Sequence, residues 1–86
     1  MTRLFDQIQA LDDVEKIILI RKRLGLKQYE FSKLLGYTPN HLANVENYKS
    51  PISKKLKTKI EEFLLEYQRE DEIKLNQILF MKKEIE

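Results

Sequence analysis

Residues 20–49 read IRKRLGLKQYEFSKLLGYTPNHLANVENYK, and this stretch decides the fold. Gly25 and Gly36 each follow a run of apolar residues at helical spacing, where a left-handed glycine commonly ends a helix. Thr38 followed by Pro39 predicts that another helix starts there, because threonine caps helices and proline suits the first helical position. Two helices separated by a short turn that contains glycine form a helix-turn-helix pattern.

Apolar residues in the two short helices predict which sides face the core. Phe31, Leu34 and Leu35 share one face of the first helix. Leu42 and Val45 supply the inner face of the second helix. The opposite side of the second helix is then free to face a partner.

A longer helix precedes this pair. Asp12 and Glu15 have the spacing of a capping box, so the helix should begin near Val14. It should end at Gly25, because cationic residues precede the glycine at the negative end of the helix dipole. Arg21 lies on its apolar stripe, together with Val14, Ile17, Ile18 and Leu24.

Helices are also expected on both sides of this region. Thr2 can cap a short first helix that has one apolar face, formed by Leu4, Phe5, Ile8 and Leu11. Ser53 can cap a fourth helix, and neither glycine nor proline occurs in residues 52–86. This segment forms either one long helix or two helices with a bend at residues 68–71. The apolar face of the fourth helix consists of Leu56, Ile60, Phe63, Leu64 and Tyr67.

The composition excludes several classes of protein. Of the 86 residues, 42% are hydrophobic and only two are glycine, which favours one small helical domain. No cysteine is present, so disulfides, cysteine metal sites and thiol nucleophiles are excluded. The longest purely apolar stretch, residues 17–20, is too short to cross a membrane, and the acidic N-terminal region does not fit a signal peptide. We therefore expect a soluble, cytoplasmic protein without a membrane partner.

Charge is unevenly distributed along the chain, although the net charge is only +2. Residues 27–59 contain seven basic and two acidic residues, whereas residues 60–86 contain four basic and eight acidic residues. A basic middle followed by an acidic end indicates that one face binds a polyanion. The alternative is a solvated surface whose charges are simply uneven.

The central stretch resembles the lambda-repressor-like helix-turn-helix family, the type found in phage repressors and Cro proteins. The resemblance covers residues 14–64 and implies an all-α, four- to five-helix domain that binds double-stranded DNA as a transcriptional regulator. We expect this domain to span residues 1–67, with an extended C-terminal helix in residues 68–86. The matching positions are Arg21, Leu24-Gly25-Leu26, Gln28, Gly36, Thr38 and Val45-Glu46.

The resemblance implies roles for three of these residues. Arg21 and Glu46 correspond to a partly buried ion pair between the first and third helices of the family. This pair explains why an arginine lies on an apolar stripe, because a buried guanidinium requires a carboxylate partner. Gln28 corresponds to a glutamine that contacts a DNA phosphate at a helix N-terminus. The alternative for Gln28 is an ordinary capping glutamine.

The third helix is the expected recognition helix, whose N-terminal residues read bases in the major groove. With Leu42, Val45 and Glu46 facing inward, the remaining side chains can reach base edges. His41 either contacts a base or is a surface histidine that touches only phosphate or water. The predicted base contacts are Asn40, His41, Asn44 and Pro39, the last in place of a polar residue that is common in the family.

The resemblance also places the loop after the recognition helix along the DNA backbone. Family members often have glycine where Tyr48 stands, so the tyrosine requires a different turn, while its hydroxyl can reach a phosphate. The predicted phosphate contacts are Gln28, Lys27, Thr38, Asn47, Tyr48, Lys49 and Lys54.

The C-terminal third is expected to pair two copies of the chain. A helix there would expose a contiguous apolar strip, which soluble monomers avoid, formed by Leu75, Ile78, Leu79 and Ile85. Pairing of two strips about a twofold axis would form a homodimer that binds a palindromic operator. The alternative is that the segment folds back as a fifth helix on its own core, or frays.

No catalytic residue, metal site or cofactor is predicted. His41 is the only histidine, and the chain has no cysteine and no Gly-rich phosphate loop. The resemblance therefore implies a DNA-binding repressor of transcription. The competing hypothesis is a protein-interaction module, in which the acidic C-terminal third binds a regulatory protein as an antirepressor or antitoxin-like partner would.

Overall fold

A computed structural model describes residues 3–80 of the chain. These residues form a short 3-10 turn and five α-helices, and no β-strand occurs among them. The all-helical prediction is confirmed. In chain order, the 3-10 turn is Phe5–Gln7 and the helices are α1 (Asp13–Leu24), α2 (Gln28–Leu34), α3 (His41–Glu46), α4 (Lys54–Glu70) and α5 (Glu72–Phe80). Within residues 3–80, no helix is long and apolar enough to cross a membrane.

Two helices begin where their caps predict. The Asp12 carboxylate accepts a hydrogen bond from the Glu15 N–H (2.8 Å), and α1 starts at Asp13. The Ser53 hydroxyl accepts a hydrogen bond from the Leu56 N–H (3.0 Å) at the start of α4. Both cap predictions are confirmed.

The helices α1, α2 and α3 end in the same hydrogen-bonding pattern. In each case a residue with positive φ follows the last helical turn, namely Gly25 (76°), Gly36 (87°) and Tyr48 (61°). The N–H of the next residue then donates to a carbonyl five residues earlier, from Leu26 to Arg21 (3.1 Å), from Tyr37 to Ser32 (2.9 Å) and from Lys49 to Asn44 (2.8 Å). This Schellman pattern favours glycine, so the tyrosine at the end of α3 is the exception among the three.

The start of α3 differs from the prediction. Thr38 and Pro39 predict a helix that begins at Pro39, but residues 39 and 40 form a turn and α3 begins at His41. The His41 N–H donates to the Thr38 carbonyl (3.1 Å). The segment therefore opens with a tight i to i+3 turn, which a cap signal in the sequence does not distinguish from a full helical turn.

The chain breaks its helix at Asp71. This residue lies between α4 and α5, and its carboxylate accepts a hydrogen bond from the Lys74 N–H (3.0 Å) in the first turn of α5. Of the two alternatives for the C-terminal segment, two helices with a bend is therefore correct for the residues described. The break allows α5 to pack back against α1 and α4.

The apolar residues of α5 complete the core of the chain itself. Leu75, Ile78 and Leu79 are each at most 3% exposed. The expectation of an exposed strip at these positions is wrong, because α5 packs on its own domain instead of projecting from it. The alternative of a fifth helix folded onto the core is correct. Ile85 lies outside the described residues, and the domain boundary expected after residue 67 falls inside α4.

The N-terminal segment also belongs to the core. Leu4, Phe5 and Ile8 are buried, and the Glu61 carboxylate of α4 accepts hydrogen bonds from the Leu4 N–H (2.9 Å) and the Phe5 N–H (3.0 Å). The 3-10 turn is shorter than the predicted first helix. Thr2, its predicted cap, lies outside the described residues.

Several expected core positions are exposed. Leu11 is 92% exposed because it precedes the cap of α1, outside any helix. Leu34 is 59% exposed because α2 turns a different face inward. In α1 the expected Ile18 and Leu24 are only partly buried, while Ile20, absent from the predicted stripe, is fully buried. The fully buried apolar side chains of the remaining core include Ile17, Phe31, Leu42, Val45, Leu56, Ile60 and Leu64.

Candidate nucleic-acid interface

A buried serine fixes the start of α3 against α2. Ser32 is completely buried, and its hydroxyl accepts a hydrogen bond from the Leu42 N–H (3.0 Å). That N–H lies in the first turn of α3, where backbone donors have no partner within the helix. Sequence reasoning missed Ser32, although its position between Phe31 and Leu35 on the inner face of α2 was a signal that its hydroxyl needed an internal partner.

Arg21 and Glu46 tie the end of α3 to α1. The Arg21 Nε lies 2.8 Å from Glu46 Oε2 and its Nη2 lies 2.9 Å from Glu46 Oε1, so both carboxylate oxygens are engaged. The two side chains are only 13% and 4% exposed, and Arg21 Nη1 also donates to the Leu26 carbonyl (3.0 Å). A bidentate, well-shielded pair of this kind holds α3 at a defined angle to α1.

Gln28 joins this ion pair. Its Nε2 donates to Glu46 Oε1 (2.9 Å), a contact that sequence reasoning did not predict. The carboxylate of Glu46 therefore accepts three side-chain hydrogen bonds, two from Arg21 and one from Gln28. The amide of Gln28 retains one N–H for another acceptor, and its phosphate contact stays a prediction.

The outer side of α3 carries polar side chains at the positions that the sequence assigned to base contacts. Asn40 and Asn44 are exposed, as is Pro39 in the turn before the helix, while His41 is half-buried. Leu42 and Val45 on the opposite side are fully buried. The helix therefore presents amide and imidazole groups on one side, which are suited to hydrogen bonding with base edges.

An aromatic stack links the turn to α3. The rings of Tyr37 and His41 lie 4.3 Å apart between centroids with an angle of 8° between their planes. Tyr37 packs against the core, and its hydroxyl is buried without a hydrogen-bond partner among the described residues. Sequence reasoning did not find this pair, although the spacing of four residues between the two rings was its signal.

Most of the predicted phosphate contacts are exposed side chains around α2 and α3. The cationic groups among them stand at three places, before α2, after α3 and at the start of α4. They are separated along the chain but belong to the same basic region, residues 27–59. These exposed residues are Lys27, Thr38, Asn47, Lys49 and Lys54.

Tyr48 forms a hydrogen bond within the domain. Its hydroxyl donates to the Asp12 carboxylate (2.8 Å) at the start of α1, although most of the side chain is exposed. This hydrogen bond is the main reason that the pKa of Tyr48 is raised above its usual value of 10.0, with burial and the charges of Asp12 and Glu15 adding to it. A hydroxyl that donates its only proton to a carboxylate cannot also donate to a phosphate, so a phosphate contact from Tyr48 requires this hydrogen bond to break.

The acidic start of α1 is partly neutralised. Asp13 pairs with Lys57 (2.9 Å) and Lys16 (3.6 Å), and the hydrogen bond from Lys57 is the largest cause of the lowered pKa of Asp13. Lys57 is therefore engaged within the domain. Within residues 3–80, no group of His, Asp and Glu side chains is arranged to hold a metal ion.

Comparison with known proteins identifies a family. A family model described as a helix-turn-helix, of the lambda-repressor-like type, matches residues 17–64, which is more than half of the chain. The matched region begins within α1, includes the whole of α2 and α3, and ends within α4. No curated protein and no solved structure matches the chain.

Proposed function

Because the chain belongs to the helix-turn-helix family of DNA-binding transcription regulators, which are not enzymes, we propose that it reads a specific DNA sequence with α3 in the major groove. The observation that carries the proposal is the polar outer side of α3. Its opposite side is fixed by the Ser32 hydroxyl and the Arg21–Glu46 pair. A rigid helix with a polar outer side loses little conformational entropy when it binds.

The base contacts are assigned to α3 and to the turn before it. Asn44 and Asn40 are the primary readers, because an asparagine amide can bond to N6 and N7 of adenine together. His41 adds a third polar contact, and Pro39 touches a thymine methyl group. The phosphate contacts come from the exposed residues Lys27, Thr38, Asn47, Lys49 and Lys54, with Gln28 at the start of α2 using its remaining amide N–H.

We also propose that the protein acts as a homodimeric repressor on a palindromic operator. A single recognition helix contacts few base pairs, and two copies related by a twofold axis would read half-sites about one DNA turn apart. The core positions of α5 are not available for pairing in this conformation, whereas Ile73 and Phe80 on the same helix are exposed. Sedimentation of the wild type and of Ile73→Lys tests whether the chain dimerises through this exposed face of α5. A wild type that is monomeric at all concentrations would contradict the homodimer.

Selection of bound fragments from random duplex DNA, followed by binding measurements at two salt concentrations, tests the central proposal. We expect one enriched motif with internal twofold symmetry, and an affinity that falls steeply with salt because phosphate binding releases counterions. No enriched motif together with salt-insensitive binding would contradict the proposal. That result would favour the competing protein-interaction module, in which the exposed acidic residues of α4 and α5 face a protein partner.

A further inference from the structure

The stacked rings of Tyr37 and His41 stand at the entrance to the recognition helix. We propose that Tyr37 is a positioning residue for DNA recognition, which holds the His41 imidazole so that its edge contacts a base. The inference rests on the proposed function, because it assigns one base contact of α3 to His41. The contact of His41 with a base then depends on Tyr37, a residue of the turn that does not itself touch DNA.

Tyr37 is held on several sides. It packs against the hydrophobic core, and its N–H donates to the Ser32 carbonyl (2.9 Å) directly after the left-handed Gly36. Its hydroxyl end is buried. The ring of Tyr37 therefore cannot move without disturbing the core, and it forms a rigid surface on which a second ring can rest.

His41 uses its ring face for this stack and keeps its nitrogens available. It is the first residue of α3, and in a helix-turn-helix the N-terminal residues of the second helix are directed at base edges. Within residues 3–80, neither imidazole nitrogen has a hydrogen-bond partner, and neither is buried. The polar edge of the ring is thus free to bond to something outside the chain.

The chemistry of the imidazole edge defines what it can read. A neutral imidazole carries one N–H donor and one acceptor. In the major groove, N7 of either purine is an acceptor that pyrimidines lack. With its N–H toward the base, His41 favours the N7 acceptor of guanine over the N4 amino donor of cytosine, so it distinguishes a G·C pair from the same pair reversed. Without the stack, the side chain would sample several rotamers and lose this preference.

The test compares binding to the selected operator with binding to operators in which one base pair is reversed. The variants are Tyr37→Leu, which removes the ring face, Tyr37→Phe, which keeps it, and His41→Phe, which keeps the stack but removes the polar edge. We expect the wild type and Tyr37→Phe to prefer the original pair about tenfold at one position, the size of a single contact. Tyr37→Leu and His41→Phe should both lose this preference, while the salt dependence stays unchanged because no phosphate contact is removed.

Two results would overturn the inference. One is a preference that survives in Tyr37→Leu but disappears in His41→Phe, since the stack would then be unnecessary. The other is a preference that survives in His41→Phe. This second comparison does not depend on Tyr37→Leu, so it remains valid even if circular dichroism shows that Tyr37→Leu is unfolded. A wild type with no sequence preference at any position would instead refute the proposed function.

Discussion

The hydroxyl of Tyr48, two residues after the end of α3, donates a hydrogen bond to the Asp12 carboxylate at the cap of α1 across 2.8 Å. Tyr48 has a positive φ of 61° at the position where α1 and α2 have glycine. A side chain in this conformation is strained, because its Cβ approaches the neighbouring carbonyl oxygen. The far end of the tyrosine has a hydrogen-bond partner that glycine could not provide.

We predict a rank order of stability for substitutions at this position. Tyr48→Ala should be the least stable, since it keeps the strained conformation and loses the contact with Asp12. Tyr48→Gly should exceed Tyr48→Ala, because glycine adopts positive φ without strain. Midpoints of urea unfolding measure the order, and an alanine variant more stable than the glycine variant would contradict it.

The same hydrogen bond predicts a pH dependence. The pKa of Tyr48 is raised in the folded chain, so the stabilisation is fully present below the unfolded pKa of 10.0 and is lost as pH rises through the folded value. The wild type should therefore be more stable than Tyr48→Phe at pH 7, and this difference should vanish at pH above the raised pKa. A difference that persists unchanged in strong alkali would show that the hydroxyl proton is not involved.

Loss of the Glu46 carboxylate should strongly destabilise the fold. Glu46→Ala leaves the shielded guanidinium of Arg21 without its partner, at a cost of about 3 kcal/mol or more. Gln28→Ala, the matched control, should cost only about 1 kcal/mol, because the ion pair remains. Thermal melting measures the stability of both variants. A Glu46→Ala protein with the same melting temperature as the wild type would show that the Arg21–Glu46 pair does not stabilise the fold.

The buried hydroxyl of Tyr37 predicts a stabilising substitution. It has no hydrogen-bond partner among the described residues, and an unsatisfied buried polar group costs about 1–3 kcal/mol. Tyr37→Phe should therefore unfold at a higher denaturant concentration than the wild type. Tyr29→Phe, at an exposed position, is the control and should leave the midpoint unchanged. A loss of stability in Tyr37→Phe would reveal a partner for the hydroxyl.

The packing of α5 predicts a contrast between two neighbouring positions. Leu75→Ala removes a fully buried side chain and should cost about 2–5 kcal/mol. Gln77→Ala, at an exposed position of the same helix, should change the free energy of unfolding by no more than about 0.5 kcal/mol. The opposite order in urea unfolding would indicate that α5 does not pack on its own core.

Local signals predicted much of this fold. The caps at Asp12 and Ser53 and the glycine at position 25 act within one or two turns of backbone, so they could be identified without knowing the rest of the chain. The Arg21–Glu46 contact spans two helices, and it could be anticipated only because an arginine on an apolar stripe and the family resemblance both indicated a carboxylate partner.

The errors involve choices that depend on tertiary packing. The apolar pattern of α5 is compatible with a strip that pairs two chains and also with a helix that packs on its own core. The turn at Asp71 directs α5 back onto the core, so the second arrangement forms. The hydrogen bond from Tyr48 to Asp12 was not predicted, because the carboxylate is distant in sequence. The partner of Ser32 and the stack on His41 likewise depend on how α2 and α3 cross.

The most direct test of α3 as the recognition helix compares Asn44→Ala with Lys49→Ala on the selected operator and on its single-base variants over a range of salt. Asn44→Ala should relax the preference at one base position by about 1–3 kcal/mol and leave the salt dependence unchanged. Lys49→Ala should weaken binding to every sequence alike and lower the salt slope by about one phosphate contact. Equal and sequence-independent losses for both variants would contradict the assignment of α3 as the helix that reads the bases.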